Sequence, residues 1–254
     1  MKKINTYINE KLKLNRDSGI KYNYHPQDTD ELKEIIKKLF AERGVNADLN
    51  DIDVSNITDM SGLFYGWDPH NINISNWDIS NVENMSGMFS HCFNFNSDLS
   101  EWDTSNVKDM SGMFYLCKKF NSDISSWNVS KVEKMQSMFY NCGKFNSDLS
   151  KWQVFNVKVF SAMFMDCINF NSDLSKWDTS SAKYMMGMFH SCKKFNSDLS
   201  KWDVSNVVNT LMMFHSCIKF DCDLSSWDVS NVTEMDDMFN KCKSLKKTPD
   251  WYKK

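Results

Sequence analysis

The sequence predicts an α/β repeat solenoid, in which 25-residue coils stack in chain order behind an amphipathic helix. Three observations support this prediction. First, tryptophan recurs every 25 residues from Trp77 to Trp227 without an insertion or deletion, and a fixed period of this length is typical of a solenoid. Second, the apolar residues inside each period follow two different spacings. Third, an amphipathic segment with clear end signals precedes the first period.

That segment predicts a helix over about residues 29–43. Asp28 and Glu31 have the spacing of a capping box, and Gly44 is placed to end the helix. The apolar residues fall on one helical face: Leu32, Ile35, Ile36, Leu39 and Phe40. A helix in front of a repeat array covers the apolar face that the first repeat would leave in water. We therefore expect it to cap the array.

Each repeat predicts a short strand, a turn, a short helix and a return turn. Met110, Met113, Phe114 and Cys117 are spaced i, i+3, i+4, i+7, which indicates two helical turns. The stretch from Leu99 to Val107 is spaced more openly and suits an extended segment with one buried face. The return turn is Phe-Asn-Ser-Asp, rich in side chains that bond their own backbone. We expect right-handed coils that rise roughly 5 Å each, by the spacing of strands.

The repeats divide the chain into three parts. Residues 1–50 form an amino-terminal segment that contains the helix, residues 51–245 form about eight repeats, and residues 246–254 form a carboxy-terminal cap or tail. Residues 1–27 are expected to be partly ordered or to lie along the array. The last repeat degrades after about Leu245, where Pro249 interrupts the return turn and Trp251 falls one place short of the period. We expect this broken turn to protect the open end from edge pairing.

Composition bounds the function. The net charge of −3 gives no basic excess of the kind that nucleic-acid binders carry. Hydrophobic residues make up 41% of the chain, which is sufficient for a continuous core. The amino terminus has lysines but no apolar run that would make a signal peptide, and no stretch is long enough for a membrane span. These features predict a cytoplasmic protein without a membrane span.

The repeats resemble a known family. The runs WDVSNVTEMDDMF (227–239), MFYNCGKFNSDLSKW (138–152) and ADLNDIDVSNITDMSGLF (47–64) are similar to the repeats of BspA-like leucine-rich-repeat surface proteins, found also as a lipoprotein-type repeat in mycoplasmas. The resemblance implies leucine-rich-repeat-like coils, used for protein contacts and often displayed on a bacterial surface. It favours a bacterial or phage source and leaves a cell-surface location open.

Cysteine and histidine offer little chemistry. Seven of the eight cysteines recur at the repeat period, which indicates a column of buried thiols rather than disulfides or a metal site. Cys222 lies outside that column and is the one candidate for different chemistry. His190 and His215 occupy equivalent positions in adjacent repeats and could share a metal, although a pair without a role is the simpler interpretation. We expect no metal, no cofactor and no enzymatic activity.

Two surface features are candidates for binding. Three consecutive repeats carry apolar residues where the other repeats are polar, and we predict that they form one exposed patch that binds a protein partner or a second copy of the chain. The apolar set comprises Phe160 and the seven residues predicted to bind the partner, which are Phe155, Val159, Tyr184, Met186, Val208, Leu211 and Met212. A lysine stripe could attract a polyanion or nucleic acid, unless the repeated aspartates offset its field. Its members are Lys118, Lys119, Lys144, Lys193, Lys194 and Lys219.

The sequence therefore predicts a non-enzymatic module that presents a rigid face to a protein partner. The alternatives are polyanion or nucleic-acid binding through the lysine stripe, adhesion to a host surface if the chain is exported, and a hydrolase or metalloprotein built on the two His-Ser-Cys triplets. We regard nucleic acid as an unfavoured partner because of the net charge.

Overall fold

A computed structural model describes residues 21–253. Among these residues there is one helix, α1, which spans Thr29–Arg43 and coincides with the predicted helix. Asp28 caps it by accepting a hydrogen bond from the Glu31 N–H at 2.9 Å. Gly44, at φ 78°, ends it by donating its N–H to the Phe40 carbonyl at 2.9 Å. The left-handed conformation that this C-cap requires is one that glycine adopts without steric cost.

The rest of the described chain consists of coils that stack through parallel bridges. Two bridges join Tyr24 to Ile52 and Asp48 to Asn73. The other seven form one column at a constant offset of 25 residues, which we name the main ladder. It connects Asp59, Asn84, Asp109, Lys134, Val159, Tyr184, Asn209 and Glu234 in that order.

The prediction of a short helix in each repeat is wrong. In the run Met110–Cys117, every second N–H donates to the next coil: Met110, Gly112, Phe114 and Leu116 bond the carbonyls 24 residues ahead at 2.8–3.0 Å. Between them, Met113, Tyr115 and Cys117 donate three residues back within the run, and the Ser111 N–H donates to Asp109 Oδ1. An α-helix needs all its amides for i−4 bonds within one segment, so the run is a series of turns with positive φ at Gly112 and Leu116.

The predicted extended segment from Leu99 to Val107 is also made of turns. Trp102 donates its N–H to Leu99 O at 3.2 Å, and Val107 donates to Thr104 O at 3.0 Å. The bridge of this coil lies further along, at Asp109. The predicted inward face of the segment is present, because Leu99, Trp102, Thr104 and Val107 are all at most 4% exposed. Burial of the column was therefore predicted correctly, and the type of backbone was not.

Aromatic rings stacked along the axis fill the core. The Phe139 ring is 5.6 Å from that of Phe164 in the next coil, with 7° between the planes, and 4.0 Å from Phe145 in its own coil. The Trp127 and Trp152 rings stack at 6.4 Å. Each indole also donates to a carbonyl of the preceding coil, as Trp127 Nε1 does to Leu99 O at 3.0 Å. Burying the ring and pairing its N–H together fix tryptophan at this column.

The two ends of the stack are covered differently. Leu32, Ile36 and Leu39 of α1 are fully buried against the first coil, and Thr29 Oγ1 donates to Asp59 O at 2.5 Å. At the other end, Trp251 stacks on Trp227 at 6.4 Å although it is one residue short of the period. The Tyr252 ring meets Phe239 edge to face at 5.1 Å. The prediction for residues 1–27 falls mostly outside the described residues, and the division at residues 50 and 245 stays a prediction.

Candidate interaction faces

Outward positions beside the main ladder form a surface that we name the ladder face. In any coil it comprises the ladder residue, the residue before it, and the residues two and three positions after it. On the earlier coils this face is polar and carries ion pairs between neighbouring coils. The Glu83 carboxylate is 2.7 Å from the Lys108 ammonium, and that of Glu133 is 2.7 Å from Lys158. Exposed pairs of this kind contribute little stability.

The ladder face becomes apolar on three consecutive coils. Tyr184, Met186 and Met212 are 45%, 42% and 37% exposed. The half-buried members are Val159, Val208 and Leu211. The Val159–Tyr184 bridge sets those two residues side by side. The bond from Gly187 N to Leu211 O brings the next coil alongside at 2.8 Å. These six residues, which we name the apolar patch, share one face of three adjacent coils.

Two residues of the apolar set lie elsewhere. Phe160 is fully buried, 5.9 Å from the Trp177 ring, in the column that methionine occupies in most other coils. The interpretation of Phe160 as part of a surface patch was therefore wrong. Phe155 is 40% exposed but stands in a column that other coils fill with serine, four residues before the ladder. Among residues 21–253 the structure gives Phe155 no ring contact to the patch.

The lysine stripe resolves into two neighbouring columns. Lys119, Lys144, Lys194 and Lys219 share one column, and Lys118 and Lys193 share the column before it. Lys118 lies over the Phe93 ring, with its Nζ 5.3 Å from the ring centroid. The ion pairs found in the described part of the chain use other lysines. These are Lys37, Lys38, Lys108, Lys134, Lys158, Lys246 and Lys247.

The repeated aspartates serve other partners. Asp148 Oδ1 accepts the Ser150 N–H at 2.9 Å, and this bond lowers the pKa of Asp148. The lysines that further lower the pKa of these carboxyls are those before the tryptophans: Lys151 acts on Asp123 and Asp148, and Lys176 acts on Asp173. None of these lysines belongs to the lysine stripe.

Beside the lysine columns runs a row of asparagines in the return turns, which the sequence analysis passed over as turn residues. Each side-chain Oδ1 accepts the backbone N–H of the equivalent residue one coil later. Asn96 bonds Asn121 N at 2.7 Å, and Asn121 bonds Asn146 N at 2.7 Å. We name this the asparagine row. It comprises Asn96, Asn121, Asn146, Asn171 and Asn196, followed in the same column by Asp221.

Residues of the asparagine row and of the column that contains Lys119 and Lys144 line an open groove of about 480 Å³. No carboxylate from the described part of the chain lines it. Its residues are His70, Asn71, Asn94, Asn96, Lys119, Asn121 and Lys144.

The thiols are structural. Each thiol of the cysteine column donates to the carbonyl of a phenylalanine 28 residues earlier, as Cys142 Sγ does to Phe114 O at 3.0 Å. Burial raises the pKa of these thiols, to about 12 for Cys92. Cys222 takes the place of a serine: its Sγ accepts the Leu199 N–H at 3.2 Å, as Ser197 Oγ accepts that of Leu174 at 2.9 Å. Burial raises the pKa of Cys222 to about 11, whereas a reactive thiol is activated by a lowered pKa.

The histidine pair is stacked rather than convergent. The His190 and His215 rings lie 4.7 Å apart at 4°. Each Nδ1 is close to a serine hydroxyl, 3.1 Å from Ser191 and 3.0 Å from Ser216. Burial, then the neighbouring His215, lowers the pKa of His190. Within residues 21–253 no three histidine, cysteine or acidic side chains gather closely enough to hold a metal ion.

An aromatic row on the adjoining edge was missed by the sequence analysis. Tyr65 and Tyr115 flank His91, with ring centroids 5.0 Å and 5.4 Å away. Tyr115 stacks on Tyr140 at 4.6 Å. The signal was present as tyrosine after the Met-Phe or Leu-Phe pair in three repeats. The Tyr115 and Tyr140 rings are stacked, whereas the two contacts of His91 are tilted.

No helix in residues 21–253 is both long and apolar enough to cross a membrane. Comparison with curated proteins and with solved structures gives no match. A family model described as "Mycoplasma protein of unknown function, DUF285" matches residues 34–152 and again residues 133–252. The two matches are consistent with tandem repeats and cover most of the chain. The protein therefore belongs to this Mycoplasma repeat family of unknown function.

Proposed function

We propose that this protein is a non-enzymatic solenoid scaffold that binds a protein partner through the apolar patch. The observation that carries the proposal is the interruption of a polar ladder face by exposed tyrosine and methionine side chains on three adjacent coils. Aromatic residues and methionine are enriched in the buried centres of protein interfaces, and exposed apolar patches on soluble proteins often mark contact sites. We also propose that the coils are related to the leucine-rich-repeat coils of BspA-like surface proteins.

The surroundings of the patch define the partner's chemistry. Lys158 and Lys183 precede the ladder residues Val159 and Tyr184 on the first two coils of the patch, and Lys158 is paired with Glu133. Glu234, Asp236 and Asp237 lie on the next coil after it and are exposed. A complementary partner has an apolar centre, acidic groups toward one side and basic groups toward the other. This charge arrangement would fix the partner's orientation more than its affinity.

The test is a pull-down from a lysate of the native host that compares wild type with the Tyr184→Ser, Leu211→Ser double variant. We expect wild type to retain a protein that the variant loses. The matched control is Lys134→Ser with Gln136→Ser, which alters the same two columns on a polar coil and is expected to retain the partner. Capture of the same proteins by all three forms would reject the patch as the binding site.

The same variants separate self-association from binding of another protein. Sedimentation equilibrium of wild type and the double variant measures whether copies of the chain pair through the patch. A dimer that the double variant abolishes would make a second copy the occupant. Thermal unfolding should be nearly unchanged in the double variant because Tyr184 is 45% exposed. A large loss of stability would assign these residues to the core.

A further inference from the structure

The asparagine row presents side-chain amides in a fixed orientation. Asn96 and Asn121 use Oδ1 to accept the backbone N–H of the next coil at 2.7 Å. Their Nδ2 groups must then point away from that bond, and neither has an acceptor among residues 21–253. Because the carbonyl end is held by the backbone, the amide cannot rotate to offer it outward. Each of these coils therefore offers an oriented donor to the solvent.

Lysine side chains reinforce this row where the groove lies. Lys119 and Lys144 line it together with Asn96 and Asn121. Asp68 accepts the backbone N–H and the Nδ2 of the lining residue Asn94 at 2.7 Å each, and it is not among the residues that line the groove. The groove thus combines two positive charges with amide donors. Such a surface recognises a ligand rich in acceptors and negative charge.

We infer that this groove binds an acidic polysaccharide, with sulfate or carboxylate groups on the lysines and sugar oxygens on the asparagine amides. An acidic peptide fits less well, because its own N–H groups would meet donors and lose their water without a new acceptor. Single-stranded nucleic acid fits less well too, since it binds through bases stacked on exposed aromatic faces. The groove is lined by one ring, that of His70.

The same column changes its chemistry near the carboxy-terminal end of the stack. After Asn196 it continues as Asp221, whose Oδ1 accepts the Lys246 N–H at 3.1 Å. The Asp221 carboxylate also pairs with the Lys246 ammonium at 2.7 Å. Aspartate therefore supports the same backbone bond as asparagine, but it replaces the donor with a negative charge. The residues that line the groove, from His70 to Lys144, place the polysaccharide site in the amino-terminal half of the stack. The natural exchange at Asp221 supplies a nearly isosteric test. The inference does not rest on the apolar patch.

The experiment is a fluorescence titration of the full chain with a labelled heparin-derived oligosaccharide and with a labelled oligogalacturonate at physiological salt. The first probe carries sulfates and the second only carboxylates, so the two distinguish the anionic group. Neutral dextran, poly(U) RNA and polyglutamate are titrated in parallel. We expect binding of at least one acidic saccharide and clearly weaker binding of the other three. Equal or tighter binding of RNA or polyglutamate, or no saccharide binding, would overturn the inference.

Matched variants locate the site. Lys119→Gln with Lys144→Gln should weaken saccharide binding about tenfold and reduce the salt dependence by about one unit of slope per lysine. Lys151→Gln with Lys176→Gln removes the same charge from lysines that act on Asp148 and Asp173, and should change binding by less than about twofold.

Asn121→Asp should weaken saccharide binding about fivefold, because it exchanges the donor for a carboxylate. Asn171→Asp makes the same exchange in the same row outside the groove, and its effect should be small. Unchanged thermal unfolding in both variants shows that the row still forms. If the groove variants and their controls lose the same saccharide affinity, the effect is one of net charge, and the proposed site is rejected.

Discussion

The two ends of the stack cover the apolar face of the terminal coil in different ways. At the amino-terminal end a separate element, α1, covers the first coil so fully that Met60 and Phe64 are completely buried. At the carboxy-terminal end the last repeat covers itself with Trp251 and Tyr252, and Phe239 is still 6% exposed. Val232 and Cys242, whose equivalents are buried in earlier coils, are only partly buried there.

The backbone shows the same contrast. In each earlier coil of the main ladder, alternate N–H groups donate to the next coil. In the last coil, the backbone N–H groups of Met235, Asp237 and Lys241 have no acceptor among the described residues. At the first coil, Thr29 supplies a donor to the carbonyl of Asp59. A capping helix thus satisfies groups that a degenerate repeat leaves open, so the carboxy-terminal end should be the weaker one.

The largest expected effect tests the interior against that end. Phe139→Ala removes a fully buried ring that contacts phenylalanines above, below and beside it. It should lower the free energy of unfolding by about 3–5 kcal/mol. Phe239→Ala should cost roughly half as much, because Tyr252 rather than another coil covers one side of that ring. Denaturant unfolding of both variants measures the difference, and equal losses would contradict the proposed weakness of the carboxy-terminal end.

A smaller effect is expected at the start of α1. Asp28→Ala removes the side chain that accepts the Glu31 N–H and should lower the stability by about 1 kcal/mol. Asp28→Asn, which keeps an acceptor, is the control and should recover most of the loss. If thermal unfolding does not distinguish alanine from wild type, the helix contributes less to the cap than its burial indicates.

The next effect concerns the left-handed positions within the turn runs. Gly112 has φ 58°, and a Cβ there would meet Tyr115 Cβ at an ordinary 3.8 Å. Gly112→Ala should therefore cost about 1 kcal/mol, through backbone conformation alone. Ala162 holds the same position with φ 54°, and Ala162→Gly should gain a few tenths of a kcal/mol, since the glycine is also freer in the unfolded chain. Denaturant unfolding should therefore show a loss of stability for Gly112→Ala and a gain for Ala162→Gly.

The last prediction requires no mutation and compares thiols along the stack. Burial raises the pKa of Cys92 to about 12 and that of Cys242, at the open end, to about 11. Alkylation of the native chain at alkaline pH should therefore modify Cys242 and Cys222 before the interior column. Because the folded pKa values lie above the unfolded value of 9.0, the thiols favour the folded state below pH 9, and this stability is lost as pH rises from there. Uniform labelling of all cysteines would indicate that the stack opens as a whole.

Much of the architecture could be predicted because a repeated sequence reports each position many times. The period, the helix Thr29–Arg43 and the inward columns of tryptophan, phenylalanine, methionine and cysteine follow from side-chain spacing. Cys222 and Phe160 show the limit of that information. Each departs from its column in the sequence, yet Cys222 makes the serine's hydrogen bond and Phe160 fills the methionine's place.

The candidate sites were also predicted only in part. The apolar set could be found from the amino-acid sequence alone, because three repeats depart from the polar pattern at the ladder face. The sequence did not separate Phe155 and Phe160 from it, since a column's exposure depends on how the turns point. The lysine stripe was visible as well. The oriented amides beside it were not, because an asparagine in a turn usually bonds its own local backbone, and here it bonds the next coil.

The sequence by itself determined which residues recur, which of them face inward and that a helix precedes the repeats. Only the tertiary structure decided the path of the backbone between those columns. An i, i+3, i+4, i+7 stripe is buried equally well by a helix and by the turn run Met110–Cys117. What distinguishes them is that alternate N–H groups bond carbonyls 24 residues ahead. A partner so distant exists only once the coils are stacked, so no local pattern of side chains reports it.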